Sequence, residues 1–182
     1  MIKKKPESSK ISLVIRATHF AAIKHRDQRR KDSAASPYIN HPVTLAEILS
    51  VEGGISDPVV LAAALLHDTL EDTQTTSEEL RGQFGSAIAE IVQEVTDVKW
   101  LDKAARKRFQ IARARRSSKG AKLVKLADKI ANLRDILANP PAKWSIERKR
   151  EYFDWAKKVI DQVRGTNLKL ERHFDTLYQQ RP

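Results

Sequence analysis

The stretch Val59-Val60-Leu61-Ala62-Ala63-Ala64-Leu65-Leu66-His67-Asp68-Thr69-Leu70-Glu71-Asp72 decides the fold. It follows Asp57-Pro58, a capping side chain and then a residue favoured in a first helical turn. Eight apolar residues in a row leave no polar face. The predicted helix, residues 59 to about 71, is therefore central. Its far end is different: His67, Asp68, Glu71 and Asp72 abut the apolar run, where polar groups are costly unless satisfied. Residues i and i+4 share a helix face, so Glu71 falls one turn beyond His67 and Asp72 one turn beyond Asp68. The spacing gathers imidazole and carboxylates at the mouth of a buried helix. Such donors suit Mn, Fe, Co or Zn. An ordinary helix C-terminus with paired His and Asp fits the same residues.

Outward from this helix, apolar residues recur at helical spacing and no strand is expected. A first helix is predicted over residues 11–26, then a polar segment over 27–40. A second helix starts near Pro42 and is stopped by Gly53-Gly54. Thr76 and Glu79 have capping-box spacing before a short helix ended by Gly85. Further helices are predicted over 86–98, 102–116, 121–137, 145–163 and 167–180. The chemistry-bearing candidates outside the first stretch are His41, at a loop-to-helix junction, and Asp128. Asp128 lies in an apolar stripe with Val124 and Ala131, so it needs a metal or a cationic partner.

The 182 residues suit one domain, and the absence of cysteine excludes disulfides, thiolate metal sites and a Cys nucleophile. No apolar run is long enough to cross a bilayer, and the basic, polar start resembles no signal peptide. A cytoplasmic protein without a membrane role is expected. The net charge of +11 attracts polyanions, phosphorylated metabolites among them. Lys103, Arg106, Lys107 and Lys122 are candidate phosphate donors, although solvated helix faces explain such charges equally well. Trp100, Trp144, Tyr152, Phe153 and Trp155 are expected in helix packing, and His19, His25 and His173 at the surface or in packing.

Taken together, Arg29-Arg30-Lys31 to Tyr38-Ile39-Asn40-His41-Pro42, Ala63-Ala64-Leu65-Leu66-His67-Asp68-Thr69-Leu70-Glu71-Asp72-Thr73 and Lys125-Leu126-Ala127-Asp128 to Asn132 resemble the HD superfamily of metal-dependent phosphohydrolases. More narrowly they are similar to the hydrolase domain of RelA/SpoT proteins, above all the small stand-alone alarmone hydrolases, those of metazoans included. The similarity spans residues 12–180. It implies an all-α, single-domain HD-type bundle of about nine to ten helices over 11–182; the basic, polar start is expected to be a flexible tail at 1–10. It implies one Mn²⁺ held by His41, His67, Asp68 and Asp128, with Glu71 and Asp72 orienting and deprotonating water. It places Arg30, Lys31, Tyr38, Asn132 and Tyr152 at the nucleotide. The implied reaction removes the 3′-pyrophosphate of (p)ppGpp, giving GDP or GTP and pyrophosphate. Removal of the 2′-phosphate of NADPH is the alternative within the same chemistry. Nucleic-acid binding through the basic surface is disfavoured for want of a recognised motif, and an oligomer is left open. The run Arg113 to Arg116 is more basic than the resemblance leads one to expect.

Overall fold

A computed structural model describes residues 8–182. Among them are ten α-helices and no strand. They are α1 (Ser8–Lys24), α2 (Asn40–Glu47, continued by a π-helical turn, Ile48–Glu52), α3 (Pro58–Leu66), α4 (Thr69–Asp72) and α5 (Ser77–Phe84). There follow α6 (Ser86–Val95), α7 (Lys103–Ala114), α8 (Lys119–Ala138), α9 (Ile146–Ile160) and α10 (Leu168–Tyr178). No described helix is long and apolar enough to cross a membrane.

Local chemistry sets most of these starts. Side chains of Asp57, Thr76, Asp102, Ser118, Ser145 and Asn167 accept hydrogen bonds from N–H groups of the first turns. Each such cap contributes about 1 kcal/mol. The capping box at Thr76 is half made: Thr76 accepts from the Glu79 N–H, but the Glu79 carboxylate turns to Lys24, 2.9 Å away. Gly85, with φ of 88° and ψ of 165°, both ends α5 and begins α6, a backbone state nearly confined to glycine.

Helix α3 is the centre, packed by α1, α2, α6 and α8. Ala62, Ala63, Ala64 and Leu66 are wholly buried, so small side chains let neighbours approach on all sides. Helix α8 is the second axis, with α2, α6, α9 and α10 around it and α7 resting on α9.

Two boundaries depart from the sequence expectation in ways that matter. Among the described residues α1 already includes Ser8 to Lys10, ahead of the start expected at Ile11; residues 1–7 of the expected tail lie outside the described residues. The helix predicted to run from 59 to about 71 breaks at His67-Asp68, where Asp68 takes φ −97° and ψ −2°. The buried Thr69 hydroxyl donates to the Leu66 carbonyl at the break, satisfying a group the helix end would orphan. Trp100, expected in packing, is 87% exposed in the loop before α7. Phe153 is in the core, as expected.

Candidate metal centre and active site

Three chain segments meet at one end of α3. The start of α2 brings His41, the α3–α4 break brings His67 and Asp68, and the middle of α8 brings Asp128. Ligand atoms of His41, His67 and Asp128 all lie within 4.8 Å of one another. Nε2 of His41 is 3.4 Å from Oδ1 of Asp128 and 4.0 Å from Oδ2 of Asp68. Asp68 stands beside this group rather than within it. Its Oδ2 is 2.8 Å from Nε2 of His67 and accepts from the Tyr38 hydroxyl.

The donor set fits a divalent ion. Both histidines are buried, and Nε2 of His67 has no hydrogen-bond partner despite its closeness to Asp68. Nδ1 of His67 lies 2.8 Å from the Ala64 carbonyl, which can only accept, so Nδ1 carries the hydrogen and Nε2 is turned to the centre. Burial opposes charge on His67, but the Asp68 carboxylate prevails and pushes its pKa up to about 9. That environment favours a cation at Nε2. Burial holds His41 below the ordinary imidazole value, in the neutral form that a ligand requires. Asp68 and Asp128 are anions: burial opposes this, but His67 for the first and Lys129 for the second hold both carboxyls below the usual range. Lys129 lies 2.7 Å from Asp128 and above the Trp155 ring.

Glu71 and Asp72 sit on the single turn of α4. Oε2 of Glu71 accepts from the Asp97 N–H at 3.1 Å, and Oδ2 of Asp72 accepts from Nε2 of Gln28 at 2.8 Å. Burial, reinforced by neighbouring carboxylates, raises the Glu71 pKa. Raised basicity equips this carboxylate to accept a proton.

An inner cavity of about 350 Å³ is lined by His41, His67, Asp68, Asp128 and Glu71. An outer one of about 390 Å³ is lined by Gln28, Asp72, Asp135 and Trp144. Arg30, Lys31, Tyr38, Glu71, Asn132 and Tyr152 line both, so every sequence-predicted substrate residue lies where the two join. Arg30 lies over the Tyr38 ring and is fixed by an ion pair with Asp135. Nδ2 of Asn132 donates to Asp128 at 2.6 Å, one turn earlier on α8. Half-buried Tyr152, its hydroxyl pKa pushed up to about 12 by desolvation, also borders a side crevice of about 260 Å³. Lys103, Arg106 and Lys107 line that crevice, but Lys122 lines none of the described cavities.

Sequence reasoning missed Gln28, Asp97, Gln110, Lys125 and Lys129 as cavity residues. For the lysines a signal existed, since both fall within the apolar run of α8. For Gln28, Asp97 and Gln110 there was none.

A family model described as the HD domain matches residues 17–154. The guanosine-3′,5′-bis(diphosphate) 3′-pyrophosphohydrolase MESH1 of Xenopus tropicalis is 54% identical over 171 residues, 94% of this chain and 96% of the relative. The protein of that name from Homo sapiens is 53% identical over 173 residues, 95% of this chain and 97% of its own. A solved structure, reported as a metazoan ortholog of SpoT that hydrolyzes ppGpp, superposes with a TM-score of 0.91 at 48% identity, covering 98% of both chains. With a matching family model and relatives this similar along nearly its whole length, the chain belongs to the HD-domain family, in its MESH1 branch.

Proposed function

We propose that this protein is a metal-dependent hydrolase that removes the 3′-pyrophosphate of guanosine tetra- and pentaphosphate, releasing GDP or GTP and pyrophosphate. One observation carries the reading. The group of buried His41 and His67 with half-buried Asp128 shares a cavity system with the carboxylates of Glu71 and Asp72, in a chain over half identical to proteins named for that reaction. His41, His67, Asp68 and Asp128 hold the ion; imidazole and carboxylate donors without sulfur suit Mn, Fe, Co or Zn, and among these Mn²⁺ is the ion that the family resemblance implies. When bound, the ion supplies Lewis-acid chemistry, acidifying water and polarising a phosphoryl oxygen.

The chain's own residues do the rest. Glu71 and Asp72 orient the attacking water, and one of them takes its proton as the new oxygen–phosphorus bond forms. The bond from that phosphorus to the ribose 3′-oxygen breaks, the 3′-oxygen takes a proton from solvent, and the carboxylate returns the proton it accepted to solvent. Lys129 is committed to Asp128, whereas Lys125, without an ion pair among the described residues, faces the charge that develops on the phosphoryl oxygens. Arg30 and Tyr38 offer a planar guanidinium and a ring for the base, while Lys31 and Asn132 position phosphate and sugar.

The test is pyrophosphate release from ppGpp by purified protein, with Mn²⁺ or with EDTA. Release should require Mn²⁺. Glu71→Gln and Asp72→Asn should each lower kcat by about 10²–10⁴-fold while Mn²⁺ still binds by calorimetry. Faster phosphate release from NADPH than from ppGpp would replace the substrate. No turnover of either by folded, Mn²⁺-loaded protein would overturn the reaction class.

A further inference from the structure

His25 lines none of the described cavities, yet it is only 2% exposed. It follows the last turn of α1, with its N–H bonded to the Ala21 carbonyl. Its Nδ1 lies 2.6 Å from Oε1 of Gln28, and Nε2 of Gln28 lies 2.8 Å from Oδ2 of Asp72. The chemistry of these groups fixes the direction of every bond. An ionised carboxylate only accepts, so Gln28 must present its NH₂ to Asp72. Its oxygen then faces His25, and Nδ1 of His25 must carry the hydrogen. The chain of donation runs from His25 through Gln28 to Asp72.

Burying an imidazole here has a cost, because its Nε2 is enclosed without a partner. An apolar side chain filling the same space would avoid that penalty, so packing alone does not account for a histidine. Gln28 is also the hydrogen-bond donor to the Asp72 carboxylate among the described residues. Asp72 ends a helix of only four residues, which gives its side chain little other restraint. The backbone of Gln28 is itself pinned, its carbonyl accepting from the Tyr38 N–H at 3.1 Å. The His25 ring packs on Tyr38, 4.9 Å between centroids.

We propose that His25 and Gln28 form a positioning relay that holds the Asp72 carboxylate toward the cavity, so that turnover depends on a histidine outside the site. The relay rests on the assignment of Asp72 to the handling of the attacking water. His25 is a positioning residue acting through Gln28. A half-buried amide oriented from behind keeps the carboxylate in one rotamer, and small misplacements of a reacting group are expensive in rate.

The test is steady-state hydrolysis of ppGpp by Mn²⁺-loaded His25→Phe, His25→Asn, Gln28→Leu and the His25→Phe/Gln28→Leu double variant, beside Asp72→Asn. His25→Phe keeps a ring against Tyr38 and loses the N–H. It should lower kcat about tenfold, with KM and Mn²⁺ affinity unchanged. His25→Asn puts an N–H close to the position of Nδ1 and should recover kcat to within about threefold of the parent. Losses in the double variant should not exceed those in Gln28→Leu, because both changes cut one chain. Full activity in His25→Phe, additive losses in the double variant, or a His25→Asn no better than His25→Phe would each overturn the relay. If Asp72→Asn itself keeps full turnover, the role assigned to Asp72 fails instead; if Asp72→Asn is inactive and His25→Phe is not, the relay alone fails.

Discussion

Lys125 sits on α8 between Val124 and Leu126, both wholly buried, and its side chain borders the inner cavity beside His67 and Asp128. Burial pushes its pKa down to about 8, and Nζ reaches Gln110 Oε1 only at 3.5 Å. A buried ammonium with so weak a partner is poised for an anion. Lys125→Met should lower kcat by about 10²-fold, the usual cost of removing one donor to a developing oxyanion. It should leave thermal stability unchanged or improved, since an apolar side chain replaces a buried charge. Kinetics and melting on the same preparation check both parts. At this scale the sequence was partly legible. Asp128 stands out as a carboxylate in an apolar stripe, and Lys125 stands out by the same logic, whereas Lys122, a candidate phosphate donor by sequence, lines none of the described cavities. His25 was not legible, because its significance depends on Gln28 reaching Asp72, 44 positions away.

At the scale of elements, caps and glycines marked most helix ends because their chemistry is local. The break after Leu66 was not visible, because nothing in Leu66-His67-Asp68-Thr69 forbids a helix; it falls where Asp68 meets Tyr38, 30 positions away, and the Thr69 hydroxyl takes up the Leu66 carbonyl freed there. The end of α2 shows a tertiary constraint of the same kind. Gly53 has φ of −81°, which any residue adopts, yet a Cβ there would lie 2.8 Å from the Leu49 carbonyl oxygen and 3.0 Å from Leu170. Gly53→Ala should destabilise by about 1–3 kcal/mol, read as a lower Tm. Next to it, Arg134 makes a two-pronged ion pair with Glu52 at 2.6 and 2.7 Å, tying α8 to the π-helical turn. The Arg134 guanidinium holds the Glu52 pKa below its ordinary 4.5. A depressed carboxyl stabilises the fold fully above its unfolded value, and that stabilisation is lost as pH falls through the folded one. Glu52→Gln should therefore melt lower than the parent at pH 7, and the gap should close as pH drops below 4.5. Melting curves at pH 7 and about pH 3 compare the two proteins.

For the whole molecule, helical periodicity and the scarcity of glycine and proline were enough for an all-α bundle. They were not enough to bring His41, His67 and Asp128 together. Those residues belong to segments far apart in the chain, and only packing of α2, α3 and α8 sets them within 4.8 Å. The resemblance implied that meeting; spacing along the sequence did not. The consequence is thermodynamic linkage. An unfolded chain holds no such constellation, so an ion that binds only the native fold raises stability by RT ln(1 + [ion]/Kd). At a hundred times Kd this is about 2.7 kcal/mol, or roughly 5–10 °C in a domain of this size. Heating the protein across a series of free Mn²⁺ concentrations then gives the affinity without any substrate, and His67→Ala should flatten the curve.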